Sequence, residues 1–152
     1  DINNSQTGFT LIEGLIVVAI LGIIATFAIS NWSQLITQKR VRASMESLYD
    51  SLKLARSESL KQQTDITIKC IVNSCSIDDT EISKFQSGLY FGKDNDDNTI
   101  TSQSITFEGT RGTASKSLKL TFTDSSYSGT VSINAMGSIN NCSDTVTGYP
   151  KC

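Results

Sequence analysis

The chain contains no histidine and only one proline, Pro150. Without histidine the commonest general base is missing, and Ser-His-Asp and Cys-His schemes are excluded outright. No G-x-S-x-G stands in its place, and Ser57 and Lys61 of "SESLK" have the spacing of a solvated helix face rather than of a catalytic dyad. The chain therefore reads as a non-enzyme that needs no cofactor. Upstream of residue 150 no proline is available to break a helix. No Lys or Arg precedes the apolar block near the start, and no small-x-small cleavage pattern follows it, so the features of a removable secretory signal peptide are lacking.

What is present is unevenly spread over the 152 residues. "FTLIEGLIVVAILGIIATFAI", Phe9 to Ile29, is apolar but for Glu13 and two threonines. As a helix its 21 residues span about 31 Å, enough for the hydrocarbon core of a bilayer. The pattern runs on into residues 31–63, where Val41, Met45, Leu48, Leu52 and Ala55 recur at spacings of four and three, the stripe of an amphipathic helix. Trp32, Leu35 and Ile36 extend that stripe back toward the apolar block. The charges fall mainly off it, as on a solvated face of mixed sign. One continuous helix is expected, apolar for its first twenty or so residues and amphipathic for the next thirty, with the domain boundary inside it near Ser30 to Trp32.

The second half supplies a cover for the stripe. Ile66, Ile68, Cys70 and Val72 alternate with largely polar neighbours, as do Leu118, Leu120 and Phe122, and Val131, Ile133 and Ala135. Residues 87–91 and 104–108 are two further short strand candidates, separated by the turn-rich 92–99. Strands with one apolar face each predict an antiparallel sheet packed on the helix. The tail from Gly137 to Cys152 shows no periodicity.

The four cysteines, Cys70, Cys75, Cys142 and Cys152, are spaced C-x4-C and C-x9-C, looser than usual structural zinc sites. Two disulfides in an oxidising compartment fit them better. Of the three possible connectivities, Cys70–Cys75 with Cys142–Cys152 is favoured because each bridge closes a short loop.

"GFTLIE" followed by the apolar run and the long amphipathic helix resembles the N-terminus of a type IV prepilin or pseudopilin. "LKLARSESLKQQTDITIKC" (52–70) and "SGLYFGKDNDD" (87–97) resemble the FimU/FimT/GspH minor-pilin group. The resemblance implies an α+β pilin-like fold: a long N-terminal helix on an antiparallel β-sheet, with a disulfide-stapled C-terminal region. It implies a leader over 1–8, a transmembrane and assembly half over 9–30, and a periplasmic globular domain over 31–152. A prepilin peptidase would cut between Gly8 and Phe9 and methylate the amine of Phe9. Glu13 would then pair with that amine, on its own or a neighbouring subunit; the plainer reading is a carboxylate that reaches toward the headgroups.

The implied function is that of a minor type IV pilin that helps initiate pilus assembly at or near the tip and supports twitching motility. Its partners would be other minor and major pilins through their N-terminal helices, the inner-membrane assembly platform, and membrane lipid before extraction. The chain would sit in the bacterial inner membrane with its body periplasmic, and then in the surface fibre. The alternatives are a minor pseudopilin of a type II secretion system and a DNA-binding pilin of the transformation machinery. Some relatives bind DNA through a C-terminal Gly-Arg-x-Arg, but the matching "MGSINNC" (136–142) has no cation. Residues 64–152 carry seven Lys and Arg against ten Asp and Glu, a net charge of −3 that opposes phosphate binding. Arg111 stands alone in "EGTRGTAS" (108–115) and reads as solvent-facing. Asp94, Asp96 and Asn98 begin like a calcium loop, but the sixth position is Thr99 rather than Gly and the twelfth is Ile105 rather than Glu, so a polar turn without metal is expected.

Overall fold

A computed structural model describes residues 9–77, 79–86, 88–90 and 101–152, apart from the side chains of 27–31, 89 and 90. The unbroken pattern of the first half forms one helix, α1, Leu11–Gln62. Eight strands follow: β1 (Ile66–Ile71), β2 (Ser74–Ile77), β3 (Thr80–Lys84), β4 (Leu89–Tyr90), β5 (Ser102–Phe107), β6 (Leu118–Asp124), β7 (Tyr127–Ile133) and β8 (Ile139–Cys142). The chain divides into two compact units, Asp1–Ile36 and Thr37–Cys152.

In the second unit the stripe is fully covered: Val41, Met45, Leu48, Leu52 and Ala55 expose at most 1% of their surface. The cover consists of two four-stranded antiparallel sheets, β3-β2-β1-β5 and β4-β6-β7-β8, where alternation alone predicts a single sheet. Apolar alternation tells which face of a strand is buried but not which strand lies beside it. Both sheets contribute to one core with the helix, Ile68, Ile105 and Phe107 from the first and Leu120, Phe122 and Val131 from the second. Phe85 meets Phe122 edge-to-face at 5.0 Å between ring centroids. The buried stripe begins at Val41; in the first unit Trp32, Leu35 and Ile36 are 67%, 51% and 38% exposed.

Close approach of helix and second sheet depends on Gly129 in β7. A Cβ there would overlap the sulfur of Met45, so with Met45 in place β7 packs this close only through a bare backbone or after that side chain shifts. The helix stops after Gln62 through Gln63, whose φ of 54° is left-handed, while the Thr64 amide donates to the Ser59 carbonyl at 3.2 Å. That pairing is the Schellman form of helix termination. Beside it, Arg56 Nε donates to the Gly112 carbonyl at 2.9 Å. Gly112 has φ 65°, and a Cβ on it would come to 3.0 Å from a Leu60 methyl, so a side chain there would strain the backbone and crowd the helix end.

Cys70 and Cys75 occupy facing positions of β1 and β2 and are joined by a disulfide; a second disulfide joins Cys142 to Cys152. The aperiodic tail holds its place through specific polar contacts. Ser143 Oγ donates to the Ser128 carbonyl at 2.6 Å and accepts the Val146 amide at 2.8 Å, and Val146 itself is buried. Gln38 Nε2 donates to Thr147 Oγ1 at 3.2 Å, and the Tyr149 hydroxyl donates to Glu46 Oε1 at 2.7 Å. The same Glu46 oxygen accepts Arg42 Nε at 3.0 Å, and the guanidinium carbon lies 5.6 Å from the Tyr149 ring centroid.

Within this triad the Tyr149 hydroxyl, and then Arg42, hold the Glu46 carboxyl below its ordinary range. Burial, and then the adjacent carboxylate, push the Tyr149 phenol up to about 12. A carboxyl with a lowered folded pKa contributes stability above the ordinary carboxylate range and loses it as pH falls through the lowered value. A phenol with a raised pKa contributes below 10, its ordinary value, and loses that contribution as pH rises toward about 12.

Two outcomes are expected in unfolding experiments. Gly129→Ala destabilises the body by about 1–3 kcal/mol through overpacking, and paired with Met45→Ala the losses fall short of additivity, since the smaller side chain relieves the overlap. Tyr149→Phe costs about 0.5–1 kcal/mol at neutral pH, and the gap from the parent chain narrows above pH 10, where the parent loses the same contribution.

Candidate assembly site

The N-terminal part of α1 displays apolar side chains in every direction. From Leu11 to Ile24 the large aliphatic residues are 46–87% exposed, and Phe9 is 78% exposed. Consecutive positions turn by about 100°, so such a run leaves no polar face, and the environment it suits is lipid or other apolar helices. Thr26 Oγ1 donates to the Ile23 carbonyl at 2.6 Å, which satisfies its hydroxyl within the helix. From Phe9 to Gln38, Glu13 is the only ionisable residue. Among the described residues no helix is long and apolar enough to cross a membrane. The apolar side chains described run only from Phe9 to Thr26, whereas the apolar sequence reaches Ile29.

Glu13 is tied to the start of the helix. Its Oε2 accepts Thr10 Oγ1 at 3.0 Å and the Thr10 amide at 3.2 Å, while the Glu13 amide donates back to Thr10 Oγ1 at 3.4 Å. This reciprocal pairing is a capping box with Thr10 at the N-cap and Glu13 three residues later. The spacing T-x-x-E stands in the sequence as "TLIE", the signal by which Thr10 could have been found. The carboxylate thus lies one turn from Phe9, at the helix end where positive partial charge gathers. Gly8 lies outside the described residues, as do Asp94, Asp96 and Asn98.

No second chemistry assembles elsewhere among the described residues. No group of three or more Cys, Asp or Glu side chains could hold a metal there. Arg56 is engaged with Gly112, and Lys116 Nζ donates to Gln103 Oε1 at 2.6 Å. Arg111 is exposed, and residues 136–142 form the turn into β8 and that strand without any cation.

The N-terminus matches the prokaryotic N-terminal methylation motif over residues 3–29. Residues 44–137, well over half of the chain, match the family described as type II transport protein GspH. Among curated proteins, a type IV major fimbrial protein FimA of Dichelobacter nodosus is 47% identical over 64 residues, covering 42% of this chain and 39% of that protein. A second FimA of the same organism is 46% identical over 56 residues, covering 37% and 34%. The chain therefore spans about two fifths or less of the curated relatives it matches. No solved structure matches. With a methylation motif on its apolar helix and a GspH match over residues 44–137, from Ser44 in the helix through β7, the chain belongs to the GspH family of pilin-like proteins.

Proposed function

We propose that the chain is a minor type IV pilin, a structural subunit that helps initiate a pilus and is incorporated at or near its tip. The observation that carries this reading is the exposed apolar helix start that opens with the capped "FTLIE", in front of a GspH body. The precursor sits in the inner membrane as a single span with its body in the periplasm, since an all-apolar helix is stable there and its disulfides belong in an oxidising compartment. Prepilin peptidase removes residues 1–8 and methylates Phe9, and the assembly platform draws the helix out of lipid into a fibre. There neighbouring minor and major pilins replace lipid as its apolar solvent.

In this scheme cleavage changes what Glu13 faces. Before it the carboxylate caps its own helix; afterwards an amine appears on Phe9, within reach of Glu13 on its own or a neighbouring subunit. Ion pairing in a water-free environment is strong enough to select that register over those that leave the charge alone. The matched family, type II transport protein GspH, favours a second reading, a minor pseudopilin of a type II secretion system, with the same helix chemistry in another machine. Copurification with pilus or with secretion components separates the two.

Intact-mass analysis of chain taken from membranes is expected to show a form starting at methylated Phe9; an uncut leader there refutes the reading. Glu13→Val should insert as well as the parent chain or better but be depleted from fibres. Glu13→Gln separates capping from pairing, because glutamine completes a capping box without supplying charge. Depletion of the Gln variant from fibres is the expected result, and parental incorporation would reduce Glu13 to a helix cap.

A further inference from the structure

The first cations after the apolar run come as "KRVR", residues 39–42. Arg42 is engaged within the body, on Glu46 and over the Tyr149 ring. Lys39 and Arg40 are exposed, and neither has an ion pair or hydrogen bond among the described residues. We infer that Lys39 and Arg40 form a contact site for anionic lipid headgroups on the leaflet that faces the body. The inference rests on the reading that the apolar run spans a bilayer.

Distances along α1 support it. If Glu13 marks one boundary of a hydrocarbon core about 30 Å thick, some twenty residues at 1.5 Å each bring the other boundary to Trp32 or Ser33. A tryptophan at that level sits where aromatic side chains collect at the membrane surface. Lys39 and Arg40 then follow by about 9–12 Å of helix, a few ångströms beyond a headgroup layer roughly 5–8 Å thick. Helical side chains lean toward the N-terminus of their helix, which here is the membrane side. Long flexible stems of this kind reach back to the interface while their heads stay hydrated.

Electrostatics names the ligand. Each cation near an anionic surface favours binding by about fivefold, an effect that salt screens. The strand-rich residues 64–152 carry a net charge of −3, which opposes the same surface, so attraction falls to the cations of the helix, of which Lys39 and Arg40 come first after the apolar run. Such a contact would hold Lys39 and Arg40 at the bilayer surface before assembly, and extraction would have to break it.

Trp32 is the sole tryptophan and reports directly. The full chain is reconstituted in vesicles of mixed phosphatidylcholine and phosphatidylglycerol, with a quenching label on one lipid or the other. Labelled phosphatidylglycerol should quench Trp32 with several-fold higher apparent affinity than labelled phosphatidylcholine. High salt and the double substitution Lys39→Gln with Arg40→Gln should abolish that preference. Equal quenching by both lipids, or a preference that survives the double substitution, overturns the lipid site but leaves the span intact. Quenching by neither overturns the span and the site together.

Discussion

The globular body depends on burying one helical stripe. Val41, Met45, Leu48, Leu52 and Ala55 must leave water, and both sheets are shaped around that requirement. Neither sheet would suffice alone, since isolated small antiparallel sheets are marginal without an apolar layer to pack against. At roughly 25 cal/mol per Å² of apolar surface, several fully covered aliphatic and aromatic side chains supply the main favourable term. The close fit of Met45 over Gly129 shows how little space remains between helix and sheet. The polar tail contributes by latching onto the solvent side of the same helix through Gln38, Arg42 and Glu46.

The N-terminal stretch of α1 obeys the opposite rule. Its aliphatic side chains stay exposed, which water would not tolerate in quantity, so the solvent for this part lies outside the chain. One charge in such a segment is costly unless it has a partner. The capping box supplies Glu13 with two donors on Thr10 before any processing. The proposed cleavage supplies a third, stronger one. The first cation of the sequence is Lys39, so the pattern of charge along the helix follows the change of solvent along it.

Much of this was legible in the residues. The helix was legible because no proline interrupts it and its periodicity changes character only once. Strands β1, β5, β6 and β7 were legible through apolar alternation. Strands β2, β3 and β8 were not, because "SCSI", "TEISK" and "INNC" carry too few apolar residues to show a period; neighbours and a disulfide hold them instead. The split into two sheets was hidden for a related reason, since pairing partners are chosen by loop geometry that alternation does not encode. At the N-terminus Glu13 stands out as a charge in an apolar run, whereas Thr10 is inconspicuous there although "TLIE" spells a capping box. The Arg42–Glu46–Tyr149 triad joins residues 103 apart in sequence and left no local signal.

The central claim is that one helix is solvated in two ways, by its own sheets over 41–55 and by lipid or other pilins over its N-terminal part. A small photoreactive diazirine side chain placed at Ile16, and separately at Leu48, tests it in cells. The account predicts that position 16 cross-links to lipid in the membrane form and to other pilin chains in fibres, while position 48 cross-links only within its own chain. Capture of the body's own sheets from position 16, or of partner chains from position 48, would contradict it.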